Sequence, residues 1–136
     1  MRVILDSNIL FSALISLHKP PHRIYQAWQQ DIFDLVTCEE QLEEIRRASR
    51  YEKFKNILKP HHVGIMLNNM QRATVLECSP TDYEAADPND AWLLALAAES
   101  AAHYLVTGDK RAGILSRLTI GQTKIVTASE FCDKVL

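Results

Sequence analysis

"VILDSNILFSALI" (residues 3–15) joins two apolar runs through a polar corner made by Asp6, Ser7 and Asn8. The first run, with Arg2 ahead of it, is short, continuous and bounded by Asp-Ser-Asn, the pattern of a strand over 2–5 buried on both faces. The second, residues 8–15, fits a helix. A buried strand passing directly into a helix is the opening of an α/β unit, and the rest of the chain repeats the alternation.

Pro20-Pro21 interrupts the helical pattern, which resumes over 22–30 with Ile24, Ala27 and Trp28 on one side. "FDLVT" (33–37) predicts a second strand. In "CEEQLEEIRRAS" (38–49), Cys38, Leu42, Ile45 and Ser49 make a narrow stripe among charges, as on a half-exposed helix. "YEKFKNIL" predicts a short helix before Pro60; Val63, Ile65, Met66, Met70 and Ala73 predict a longer one over about 60–73, followed by the strand-like "TVLEC" (74–78). The turn-rich "SPTDYEAADPND" leads into "AWLLALAAESAA" (91–102), apolar nearly all round and therefore a buried helix. "YLVT" (104–107) and "KIVT" (124–127) complete the strands, and "ASEFCDKVL" closes the chain as a short helix. This alternation predicts one domain spanning 1–136, a three-layer α/β/α fold around a mainly parallel sheet.

Composition fits that reading. The chain has 136 residues, 47% hydrophobic and 24% charged, enough to bury a sizeable core and too apolar for disorder. Cys38, Cys78 and Cys132 are odd in number, far apart and without a C-x-x-C pair, so they suggest neither a disulfide framework nor a zinc site. A reducing cytoplasm is the expected location, since the N-terminal stretch lacks a basic leader with an apolar core and no apolar run reaches membrane-spanning length. A net charge of −2 means that nucleic acid would have to be held by a local basic patch.

In open parallel sheets, ligands bind beyond the carboxyl ends of the strands. Asp6 follows the first strand and Asp109 follows "YLVTG". Glu43 and Glu44 lie on the helix after "DLVT", and Asp87 and Asp90 open the buried helix. Each acid has a modest role open to it. Asp6 suits a helix cap, Asp87 an N-cap with Pro88 at the first helical position and Asp90 at the third, Asp109 a cap over "KRAGIL", and the glutamates a solvated face. Capping accounts for each acid singly; it does not account for four segments sharing one sheet edge. Carboxylates gathered in a cleft repel unless a cation lies between them, and an oxygen-only donor set selects Mg²⁺ or Mn²⁺. Such ions serve phosphate chemistry.

"VILDSNILFSALI", "CEEQLEEIRRA", "DPNDAWLLALAAESAAHYLVTGDK" and "KIVTASEF", in that order and spacing, resemble the PIN-domain family, in particular its small VapC-like toxins of prokaryotic toxin–antitoxin pairs. The resemblance spans essentially the whole chain. By position it implies Asp6, Glu44, Asp90 and Asp109 as catalytic acids and ligands of one or two Mg²⁺ or Mn²⁺ ions, with Asn8 and Thr107 as polar supports. Glu44 is preferred to Glu43 because the family's glutamate directly precedes an apolar helix residue, here Ile45; Asp87 becomes a cap or outer support. The implied activity is metal-dependent endoribonuclease hydrolysis of RNA. The implied partners are a cognate antitoxin protein and a second copy of the chain, with no membrane. The chain departs from the family at Cys38, where Ser or Thr is common, at Asn89, where Asp is frequent, and in "DKRAGIL", which lacks a leucine pair.

Arg46, Arg47, Arg50 and Lys53, within "RRASRYEKFKNILK" (46–59), form one expected RNA-binding surface, and Lys110 with Arg111 a second. A solvated helical face is the plainer account of the first. Trp28 and Trp92 fit core positions, and the five histidines show no i, i+4 ligand pair. A receiver-type phosphoacceptor would need paired acids after the first strand, and a haloacid-dehalogenase-like phosphatase would need D-x-D where this chain reads Asp6-Ser7-Asn8. A catalytically silent PIN-like module and a non-toxin RNA-processing nuclease remain as alternatives.

Overall fold

The computed structural model describes residues 1–48, 50–77, 88–108 and 119–136. Strands β1 (Arg2–Leu5), β2 (Asp34–Cys38), β3 (Thr74–Leu76), β4 (Tyr104–Val106), β5 (Thr119–Ile120) and β6 (Thr123–Val126) form one sheet in the order β3-β2-β1-β4-β6-β5. All neighbours are parallel except β5 and β6. The α-helices among the described residues are α1 (Ser7–Ile15), α2 (Pro20–Gln29), α3 (Glu39–Ala48), α4 (Pro60–Met70), α5 (Pro88–Ser100) and α6 (Ala128–Val135). This is the expected α/β architecture with a mainly parallel central sheet.

Successive strand residues point to opposite faces, and the sheet is covered on both. Val3 and Leu5 of β1 pack with Leu35, Val106 and Val126 beneath α1, α2, α3, α4 and α6, with Phe131 and Met66 among the fully buried side chains. Ile4 points the other way, joining Val36, Leu105 and Ile125 against Trp92, Leu93 and Leu96 of α5. Among the described residues α5 is the one helix packed on that face, and a helix so placed must be apolar over most of its surface, which fits the pattern of 91–102. Trp28 and Trp92 are both buried.

Four details differ from expectation. Pro20 and Pro21 open α2 instead of interrupting a helix, because the first helical turn needs no N–H donor. "YEKFKNIL" forms only a single 3-10 turn over Glu52–Phe54. Gly121, at φ 56°, begins a two-residue turn that folds β5 back on β6, pairing Ile120 with Thr123; this antiparallel edge strand was not anticipated. Helix α3 is rotated relative to the predicted stripe: Cys38 ends β2, the buried residues are Gln41, Ile45 and Ala48, and Leu42 is half-buried.

Candidate functional site

Strand order reverses at β1, whose chain continues to β2 and β3 on one side while β4 returns on the other. The crevice at such a switch point, at the carboxyl edge, is where open α/β sheets bind ligands. The register pairs Leu5 with Val106, so Asp6 and Thr107 each lie one residue past the end of adjacent strands. Neighbouring strands are about 4.8 Å apart, close enough for those side chains to meet. The Thr107 hydroxyl donates to Asp6 Oδ2 at 2.8 Å, and Thr107 is fully buried. Backbone pairing continues alongside: Asp6 N–H donates to Val106 O (2.9 Å) and Thr107 N–H to Val126 O (3.0 Å).

Asp6 also caps α1, its Oδ1 accepting at 3.5 Å from the N–H of Asn8. Asn8 thus meets the carboxylate through its backbone, while the residue itself is exposed. The modest role and the functional one are compatible: a cap fixes one carboxylate oxygen and a buried hydroxyl the other.

On the other flank of β1 the ladder gives way to a side chain. Gln41, fully buried in the first turn of α3, donates from Nε2 to Leu5 O at 2.6 Å and to Ser7 Oγ at 3.3 Å. Its Oε1 accepts from the Thr37 hydroxyl at 2.6 Å. Ser7 and Thr37 are also fully buried. Buried polar groups are retained where they are hydrogen-bonded, and this trio satisfies its members mutually. Sequence reasoning missed all three, because "CEEQLEEI" reads Gln41 as part of a charged surface. The available signal was position, since Ser7 and Thr37 both lie at strand ends on the ligand-binding edge.

Glu43 is paired with Arg46, and more loosely with Arg47 at 3.9 Å. Arg46 also reaches Glu39 at 3.3 Å. Hydrogen bonds from Arg46 to Glu39, then to Glu43, raise its guanidinium pKa above the ordinary value. These exposed pairs offset part of the basic stretch on its own helix. Glu44 follows Gln41 by three residues and so lies one turn along the same side of α3. Beyond α3, Arg50 is exposed and Lys53 lies over the Phe54 ring at 5.0 Å.

Asp90 is the third residue of α5, a helix that ends at Ser100 just before β4 begins. Running opposite to the strands, α5 starts at the carboxyl edge, which places the Asp90 backbone there. Asp87, Asp109, Lys110 and Arg111 lie outside the described residues, as do Ser49 and Cys78. Among the described residues no three or more His, Cys, Asp or Glu side chains gather as a metal cluster. The donors placed at this edge among the described residues are the Asp6 carboxylate and the Thr107 hydroxyl, oxygen chemistry that fits Mg²⁺ or Mn²⁺ and not a thiol-seeking metal. Among the described residues no helix is long and apolar enough to cross a membrane.

An open, largely parallel sheet with an aspartate fixed at its switch point belongs to a known class: a family model for the PIN domain matches residues 2–111, and the chain belongs to that family. Among solved structures, it is similar to a chain in the crystal structure of VapBC2 from Rickettsia felis bound to a DNA fragment from their promoter. The TM-score is 0.64 at 16% sequence identity, covering 93% of this chain and 98% of that one, a likeness of fold. A search of curated proteins found no match.

Proposed function

We propose that the protein is a Mg²⁺- or Mn²⁺-dependent endoribonuclease, the toxin of a VapC-like toxin–antitoxin pair acting in the cytoplasm. The observation that carries this reading is Asp6 at the β1/β4 switch point, its Oδ2 fixed by the Thr107 hydroxyl at 2.8 Å. A carboxylate held this way keeps its remaining lone pairs in a fixed direction, which a hard cation requires. Asp6, Glu44, Asp90 and Asp109 are the residues that would hold the ion. Bound there, it would lower the pKa of a coordinated water and offset charge developing on an attacked phosphate. The chain's own contribution is orientation. Thr107 aims Asp6, the N-terminus of α1 stabilises its charge, and α3, which starts directly after β2, would bring Glu44 toward the same edge. Arg50 and Lys53, with Lys110 and the less heavily paired Arg47, would supply contacts to the RNA backbone; Arg46 would do so only by exchanging its carboxylate partners.

An antitoxin-type partner suits the apolar surface away from this edge. Leu17 is 62% exposed and Ile65 54% exposed, and both line a groove of about 260 Å³ between α1, α2 and α4. Exposed apolar patches of this kind mark protein contacts. That Rickettsia felis VapBC2 is a complex supports a partner here, and a homodimer remains part of the reading.

The test compares wild type with Asp6→Asn, Glu44→Gln and Asp90→Asn on a panel of RNAs in Mn²⁺ or EDTA. Cleavage by wild type should be EDTA-sensitive and should fall about a hundredfold in the variants. Equal cleavage by purified wild type and variants would overturn the proposal.

A further inference from the structure

We infer that Gln41 is a positioning residue that sets the Glu44-bearing helix against the Asp6-bearing strand end, and so fixes the spacing of the two carboxylates around a divalent cation. The inference rests on the proposed metal site and deepens it. Three observations lead to it.

The first is where the ladder stops. β1 and β2 are paired at Arg2–Asp34 and Val3–Leu35, and β2 then turns into α3 directly after Cys38. At the carboxyl end, the Leu5 carbonyl takes its donor from the Gln41 amide at 2.6 Å. A backbone carbonyl buried without a donor is costly, so this bond fastens α3 to β1 at the residue preceding Asp6.

The second is that the amide has no rotational choice. Its Nε2 serves Leu5 O and Ser7 Oγ, while its Oε1 takes the Thr37 hydroxyl at 2.6 Å. Flipping the amide would set its oxygen against the Leu5 carbonyl. One side chain therefore joins β1, the start of α1, the end of β2 and α3, all in a fully buried setting.

The third is spacing along the helix. Glu44 follows Gln41 at i+3, so a shift or rotation of α3 about the Gln41 anchor moves the Glu44 carboxylate relative to Asp6. A metal site tolerates little such motion, and removing a group that orients a ligand typically costs about 10–100-fold in metal affinity. Gln41 would touch neither metal nor RNA; it acts through Glu44.

The experiment is titration calorimetry with Mn²⁺ alone, on wild type, Asp6→Asn, Glu44→Gln, Gln41→Met and the double variant Gln41→Met/Glu44→Gln, with far-UV circular dichroism of each metal-free protein. Methionine keeps the length of glutamine and removes its hydrogen bonds. The expected result is native-like circular dichroism for Gln41→Met and an Mn²⁺ Kd weakened about tenfold. In the Glu44→Gln background the same change should alter Kd by less than about twofold, because the group through which Gln41 acts is already gone. Equal weakening in both backgrounds would mark a merely structural role and overturn the inference. So would Asp6-dependent Mn²⁺ binding that Gln41→Met leaves unchanged. Wild type that binds no Mn²⁺, or binds it as well as Asp6→Asn does, would overturn the metal site itself and the inference with it. Should Gln41→Met fail to fold, Thr37→Val carries the same test by releasing the amide oxygen, with loss besides of the long 3.5 Å contact from the Thr37 hydroxyl to Cys38 O. It should weaken Mn²⁺ binding about threefold in the wild-type background alone, a smaller share of the same positioning effect; no change would overturn the inference.

Discussion

The two flanks of β1 close the same sheet edge by different means. Toward β4, backbone pairing runs one residue past the strand, and the Thr107 hydroxyl reaches Asp6 from a position the register dictates. Toward β2, a single glutamine side chain supplies what the ladder no longer does. Backbone pairing survives most substitutions, whereas a side-chain bridge depends on one residue. The β4 flank should therefore be tolerant in structure and sensitive in function, and the β2 flank sensitive in both.

The largest effect is expected at Asp6, where the flanks meet. Thermal melting with Mn²⁺ at a hundred times its Kd should stabilise wild type by about 2.7 kcal/mol, and Asp6→Asn should lose that gain entirely. Next comes Gln41→Met, which strands the Leu5 carbonyl and leaves the Thr37 hydroxyl only a long 3.5 Å contact to Cys38 O; urea denaturation should show a loss of about 2 kcal/mol without metal. A loss below about 0.5 kcal/mol would remove the contrast between the flanks. Thr107→Val should cost less, about 1 kcal/mol, since the backbone bonds on that flank remain, yet should weaken Mn²⁺ binding about tenfold. Smallest is Glu43→Gln. Its pairs with Arg46 and Arg47 are exposed, so stability should change by less than about 0.5 kcal/mol and Mn²⁺ affinity should not respond. A marked loss of Mn²⁺ binding in Glu43→Gln would reassign the glutamate of the site.

How much of this was legible in the sequence follows from what periodicity encodes. "RVIL" and "AWLLALAAES" were readable because burial on both faces of a sheet, or around most of a helix, leaves continuous apolar runs. Asp6 was legible as the first polar residue after such a run. The proline pair was misread because its effect depends on whether a helix is beginning or under way. β5 escaped because two residues cannot display a period. Gln41 escaped for a deeper reason. Hydropathy patterns assume that buried means apolar, so a polar residue on the inner face of α3 shifted the predicted stripe toward Cys38 and Leu42. The pairing of Glu43 with Arg46 and Arg47 is an i+3 and i+4 contact between charged side chains, which hydropathy periodicity does not register.

The central claim is that the carboxyl edge beside β1 is built to hold a divalent cation between Asp6 and Glu44. Anomalous scattering from crystals of the protein grown with Mn²⁺ tests it most directly. The account predicts a peak about 2.1 Å from oxygens of Asp6 and Glu44, in an oxygen-only shell. Ordered Asp6 and Glu44 carboxylates with no peak between them, while Mn²⁺ occupies another site, would contradict it.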